Sequence, residues 1–287
     1  QIAAWQEDYD LLWTELEQSY PYLPYLAAQG LDISAIRESF AAEIPTLRDD
    51  AAFAGLINRL TTALGHFAHL DLLPAELYQS YYYVYVSGGV ITGPEAEAFA
   101  AVLQDAHLDK RYQPPGENKD YLQREAGRYP EVKIEYRAEI KALIFHIKTF
   151  AQETVERDRD LVARALEQYP ETEHIIFDIT GNTGGSDLYW MENIVAPFGG
   201  SYAFNYRSFL KSGGAAERFY GGIPTEETAS LPDAPAWATE LGLDRCFLTC
   251  AVLREEGFDG AVTDCDATRW VLIDESVFSA SDKFAAF

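Results

Sequence analysis

Acidic residues outnumber basic ones 46 to 22 in this chain of 287, and the resulting net charge of −24 disfavours nucleic acid or an anionic membrane as a partner. No apolar run approaches the roughly 18 residues that a membrane-crossing helix needs. A chain of this length buries roughly three quarters of its unfolded surface, enough for one large domain or a core with a smaller satellite.

The opening QIAAWQEDYD has neither an initiator Met nor a signal-peptide pattern, so it reads as a processed or engineered start and leaves a secreted or surface-anchored parent open. Trp5, Tyr9, Leu12, Trp13 and Leu16 then recur at three- and four-residue spacing, and Phe53, Leu56, Ile57, Leu60 and Leu64 repeat the pattern. Between these stripes YPYLPYL carries two prolines, and Asp32 and Ser34 offer caps for a helix through Ile36 to Ile44. Three helices up to Gly65 are expected, forming a helical subdomain over 1–73. The segment 81–86, YYYVYV, is rich in β-formers and predicts a strand closed by a turn at Ser87, Gly88 and Gly89, with a short helix around 95–103. KRYQPPGENKD is the most loop-like stretch, and 74–140 as a whole reads as connecting strands, short helix and loop.

From Lys141 the rhythm becomes that of an α/β core over 141–287. A strand at 142–146, a helix at 154–169 and a strand at 175–179 make a β-α-β unit, with a crossover long enough for parallel pairing. A third strand at 270–274, WVLID, runs into ESVFSASDKFAAF, where Ser279 falls at a strand-to-helix turn. Cys246, Cys250 and Cys265 are an odd number without a metal-binding partner set, so buried thiols or one incidental disulfide are expected and no role is assigned to them.

Three elements carry chemistry. The loop after the second core strand, DITGNTGG, exposes backbone at Gly181, Gly184 and Gly185. It lacks the Lys and the spacing of phosphate-binding loops, and Asp187 follows, so an oxyanion site or a plain tight turn are its two readings. In Ser279-Ala280-Ser281-Asp282, a Ser among small residues before a helix is either an exposed nucleophile or an ordinary N-cap. In Gly65-His66-Phe67-Ala68-His69, either His could serve as a general base or be a packed helix-terminal residue, and without a third ligand a metal is not expected.

Together these motifs resemble the tail-specific or C-terminal processing peptidases and the tricorn core proteases. Asp178-Ile179-Thr180-Gly181-Asn182-Thr183-Gly184-Gly185 is similar to that family's D-[IL]-R-x-N-x-G-G loop, Ser186-Asp187-Leu188-Tyr189-Trp190 to its S-D-x-Y-W continuation, and Ser279-Ala280-Ser281-Asp282 with Phe284-Ala285 to its S-A-S-E and F-A. Gly65-His66 lies near its G-H-[ST]. The resemblance implies a crotonase- or ClpP-like α/β core and a serine endopeptidase acting on peptides or proteins without metal or cofactor. It makes Ser279 the nucleophile and His66 the base, with His69 the weaker candidate, and lets the N–H groups of Gly184 or Gly185 and of Ala280 hold the oxyanion. It also points to secretion or attachment at the bacterial cell surface. Thr180 stands where the family has Arg, Thr183 where it has Gly or Pro, and Asp282 where it has Glu; no PDZ domain is apparent. The sequence ends where the family adds another helix and closing strands, so it reads as a truncated product, an incomplete copy or a degenerate homologue. The alternative function is therefore a peptide-binding or structural module that kept the fold and lost the chemistry.

Overall fold

The computed structural model describes residues 1–66, 69–87, 94–112, 121–198, 202–253 and 263–287. It divides into two compact units, Gln1–Glu117 with Tyr206–Thr249, and Asn118–Asn205 with Cys250–Phe287. These bounds divide the chain differently from the expected segments, because 206–249 joins the N-terminal helices.

The first unit opens with four helices, Ile2–Ser19, Leu23–Ala28, Ile33–Glu43 and Asp50–Ala63. The additional helix comes from YPYLPYL, where Pro24 sits in the first turn and loses no hydrogen bond there. Asp32 and Asp49 cap the third and fourth helices by accepting from the N–H groups of Ala35 and Ala52. The two expected apolar stripes meet in one core of Trp5, Tyr9, Trp13, Leu16, Ile44, Leu56, Leu60 and Leu64, all buried. At its polar edges Trp5 Nε1 donates to Asp50 at 2.8 Å and Tyr9 OH donates to the Arg37 carbonyl at 2.7 Å, whereas the buried Trp13 Nε1 has no acceptor among the described residues. The segment 206–249 is tied to the first helix through Lys211 Nζ, which donates to the Glu17 carbonyl, and Glu15, which accepts from Ala215 N–H and Arg218.

The strand expected at 81–86 is not one. Ala75–Tyr82 is an α-helix that continues as a π-turn over Tyr83–Ser87. Helical spacing brings Tyr78 against Tyr82 and Tyr81 against Tyr85, with ring centroids 5.9 and 6.1 Å apart, and Tyr78 OH donates to the Leu103 carbonyl. Aromatic packing at i, i+4 overrides β-propensity here. The helix expected near 95–103 is Pro94–Leu103, whereas 88–93 and 113–120 lie outside the described residues.

The second unit is built on a four-stranded sheet of β1 (Lys133–Arg137), β2 (Ala142–His146), β3 (His174–Asp178) and β4 (Thr268–Leu272), in that order. β1 runs antiparallel to β2, and β2, β3 and β4 are mutually parallel. The β-α-β expectation and the α/β class hold. The crossover helix is shorter than expected, Leu161–Gln168, because a 3-10 turn at Gln152–Thr154 and Asp160 at φ 61 interrupt the chain before it. One face of the sheet, with Leu143, Phe145, Ile175 and Phe177, packs with Phe150, Tyr189, Trp190, Ala280 and Phe284 into the core. Parallel pairing of adjacent strands has one consequence for function. The chain leaves β3 and β4 at the same end of the sheet, so the glycine loop and the Ser279 turn emerge side by side.

Candidate functional site

The glycine loop is fixed on one side by the chain that follows β2. Phe150 N–H donates to the Gly184 carbonyl at 3.0 Å, and Ser186 N–H donates to the Phe150 carbonyl at 2.7 Å. A Cβ on Gly185, which has φ 140, would lie 2.3 Å from the Phe150 oxygen, so this close approach requires glycine. In a trans peptide the N–H opposes the C=O. The Gly184 carbonyl faces Phe150, so the Gly185 N–H points away from it, and it has no acceptor among the described residues.

On its other side the loop meets the Ser279 turn. A Cβ on Gly184, at φ 100, would lie 2.6 Å from the Phe278 carbonyl oxygen, 2.8 Å from Ser279 Cβ and 3.1 Å from Ala280 N. Ser279 has φ 60 and ψ −123, a conformation that costs a non-glycine residue roughly 1–3 kcal/mol. It precedes the helix Ala280–Ala286, yet its side chain makes no capping hydrogen bond. Strain without a capping return distinguishes Ser279 from an ordinary N-cap. The Ala280 N–H, at the start of that helix, also has no acceptor among the described residues.

Gly184 N–H, by contrast, is already engaged. It donates to Asn182 Oδ1 at 2.9 Å, and the same oxygen accepts from Ser281 Oγ at 2.7 Å, while Asn182 Nδ2 donates to the Ile147 carbonyl at 3.0 Å. Asn182 and Ser281 are both fully buried. Among the described residues, the N–H groups of Gly185, next to Gly184, and of Ala280, next to Ser279, remain unengaged. Ser186 Oγ donates to Gln152 and accepts from Leu188 N–H, a structural role, and Lys283 Nζ is 2.7 Å from Asp187.

At the start of the loop Asp178 accepts from Thr180 N–H at 3.0 Å and Thr180 Oγ1 at 2.6 Å, and lies 2.7 Å from His146 Nδ1. Burial raises its pKa, but the Thr180 and His146 hydrogen bonds and the nearby Lys148 charge outweigh it and hold the carboxyl below its ordinary value. Lys148 Nζ donates to the Thr180 carbonyl at 2.6 Å and approaches its hydroxyl at 3.2 Å. A lysine from the segment after β2 thus stands beside the position where the resemblance leads one to expect Arg.

His66 belongs to the first unit, at φ 49 just after the fourth helix. Its Nε2 lies 2.9 Å from Thr62 Oγ1 and its Nδ1 lies 3.2 Å from Asp71, a carboxylate outside the sequence motifs. Both ring nitrogens of His66 are thus engaged within its own segment of chain, and the sequence signal for Asp71 is no more than an acid five residues downstream. His69 also takes a positive φ of 63; Phe67 and Ala68 lie outside the described residues. Cys246 and Cys265 are free thiols.

Residues 2–62 match the family model of the Tricorn protease C1 domain, so the likeness to tricorn core proteases holds over the N-terminal helices. No curated protein sequence matches the chain. Two solved structures show a distant likeness to the chain. A candidate peptidase from Parabacteroides merdae is 12% identical, with a TM-score of 0.44 over 98% of this chain and 70% of its own. A lipoprotein from Streptococcus agalactiae is 11% identical, with a TM-score of 0.45 over 97% of this chain and 70% of its own.

Proposed function

We propose that the chain is a serine-type endopeptidase in which Ser279 attacks a peptide carbonyl and the N–H groups of Gly185 and Ala280 hold the tetrahedral oxyanion. The observation that carries this reading is the left-handed, uncapped backbone of Ser279, at the start of a helix and packed on the glycine loop. In the proposed mechanism a general base takes the Ser279 hydroxyl proton as the ester to the substrate acyl group forms and returns it to the leaving amine; His66 is the residue that the family resemblance offers for this part. Water then hydrolyses the ester by the same route in reverse. To act in this part, His66 must release Thr62 from Nε2 while Asp71 keeps Nδ1. The match of residues 2–62 to a tricorn protease domain supports a peptidase-related function. A secreted or surface-anchored location belongs to the same proposal; among the described residues no helix is long and apolar enough to cross a membrane.

A fluorophosphonate probe tests the reading on the full chain. Covalent labelling that disappears in Ser279→Ala and falls at least about 100-fold in His66→Ala is the expected result. Peptide binding without any labelling would instead favour the module that kept the fold and lost the chemistry.

A further inference from the structure

Gly184 N–H cannot serve as a free oxyanion donor while Asn182 Oδ1 accepts it, and the reason for that bond lies in what else Asn182 holds. One buried amide connects three pieces of chain: the turn after β2 through the Ile147 carbonyl, the glycine loop through Gly184 N–H, and the helix behind Ser279 through the Ser281 hydroxyl. The two acceptor bonds at Oδ1 and the Nδ2 donor bond settle the amide's orientation, since a flipped amide would face the Gly184 N–H with a second donor. Gly184 is thereby held through both of its flanking peptide groups. Its N–H is held by Asn182, and its carbonyl, held by Phe150, sets the direction of the next N–H, that of Gly185. The Ser281 end reaches to within two residues of Ser279 and one of Ala280.

We propose that Asn182 and Ser281 are positioning residues, a buried strut that sets the Gly185 N–H and the Ala280 N–H in fixed relation to Ser279 Oγ. The proposal rests on reading this site as an oxyanion-binding serine centre. Neither residue touches the substrate; both act through the backbone they hold. A strut of this kind lowers the rate of attack at Ser279 when broken, even in molecules that remain folded.

The test measures fluorophosphonate labelling of Ser279 together with hydrogen exchange of the Gly184 amide, in the full chain at denaturant-free pH 7. Ser281→Ala removes the donor and should slow labelling about 10-fold, and Asn182→Ala should slow it about 100-fold. Both should speed exchange at Gly184, and Ser281→Cys, which retains a weak donor of similar size, should recover part of the labelling rate. Should Asn182→Ala fail to fold, Ser281→Ala carries the test alone. Unchanged Gly184 exchange in Ser281→Ala overturns the strut. Faster exchange with unchanged labelling overturns its positioning role, since a merely structural contact would alter stability and leave the folded enzyme's rate alone. If the wild-type chain is not labelled, the serine-peptidase reading fails and the positioning role fails with it, whatever the exchange shows.

Discussion

Gly184 and Gly185 are irreplaceable for opposite reasons: one makes room for the Ser279 turn, and the other makes room for Phe150. Gly184→Ala would set a methyl 2.6 Å from the Phe278 oxygen at φ 100, so the helix carrying Ser279 must move away from the loop. We expect about 2–4 kcal/mol of destabilisation in urea unfolding and loss of probe labelling in the protein that folds. Asp178 makes a separate contribution, from the other end of the loop. Its pKa is depressed in the folded state, so its stabilisation is present above the unfolded value of about 3.9 and disappears as pH falls through the lower folded value. Asp178→Asn should therefore cost about 1–3 kcal/mol at pH 7, by weakening the bonds from Thr180 and His146, and the gap to wild type should narrow in urea titrations carried toward pH 2.

The short helix after the loop shows what the aromatic part of the motif does. Tyr189 and Trp190 are both buried in the core, with Tyr189 stacked on Phe150 at 5.0 Å and its hydroxyl donating to Asp158 at 2.8 Å. Burial, followed by the adjacent Asp158 charge, pushes the Tyr189 phenol well above its ordinary pKa, so it remains a donor across the accessible range. Asp158 also pairs with Arg157, which donates to the carbonyls of Ala126, Tyr129 and Pro130 and so ties the chain before β1 to the core. Tyr189→Phe should destabilise the protein by about 1–3 kcal/mol, read as a lower urea midpoint with an unchanged slope. Elements of this kind were legible in the sequence where local signals agree with tertiary need. β3 with its glycine loop announces itself as an apolar run ending in glycines, and the first stripe, Trp5 to Leu16, matches its helix. The 81–86 segment was not legible, because β-propensity describes a strand and only the partners of Tyr78 and Tyr81 decide for a helix. Asn182 was visible as one letter in a motif, but its partner at Ser281 stands 99 positions away, and no local pattern encodes that bond.

At the scale of the molecule, charge and an exposed edge oppose each other. β4 is the last strand of its sheet, and the bonds from Ile179 N–H to the Leu272 carbonyl and from Thr268 N–H to the Glu173 carbonyl show which residues face β3. By alternation, the backbone groups of Arg269 and Val271 face the open edge, where the described residues supply no partner. Trp270, Leu272 and Ile273 are 51%, 47% and 58% exposed beside it, a combination that invites pairing with another strand. A net charge of −24 keeps copies apart at neutral pH, where self-repulsion is strongest at low salt. That protection fades as carboxylates protonate toward the isoelectric point near 4.4. Light scattering at low protein concentration should therefore stay flat at pH 7, rise as pH approaches 4.4, and rise earlier in about 0.5 M salt, where the Debye length is only a few ångströms. Ile273→Lys places a cation on the edge and should delay the rise at both salt concentrations. A rise unaffected by this substitution would assign the association to another surface and leave the edge of β4 without a part in it.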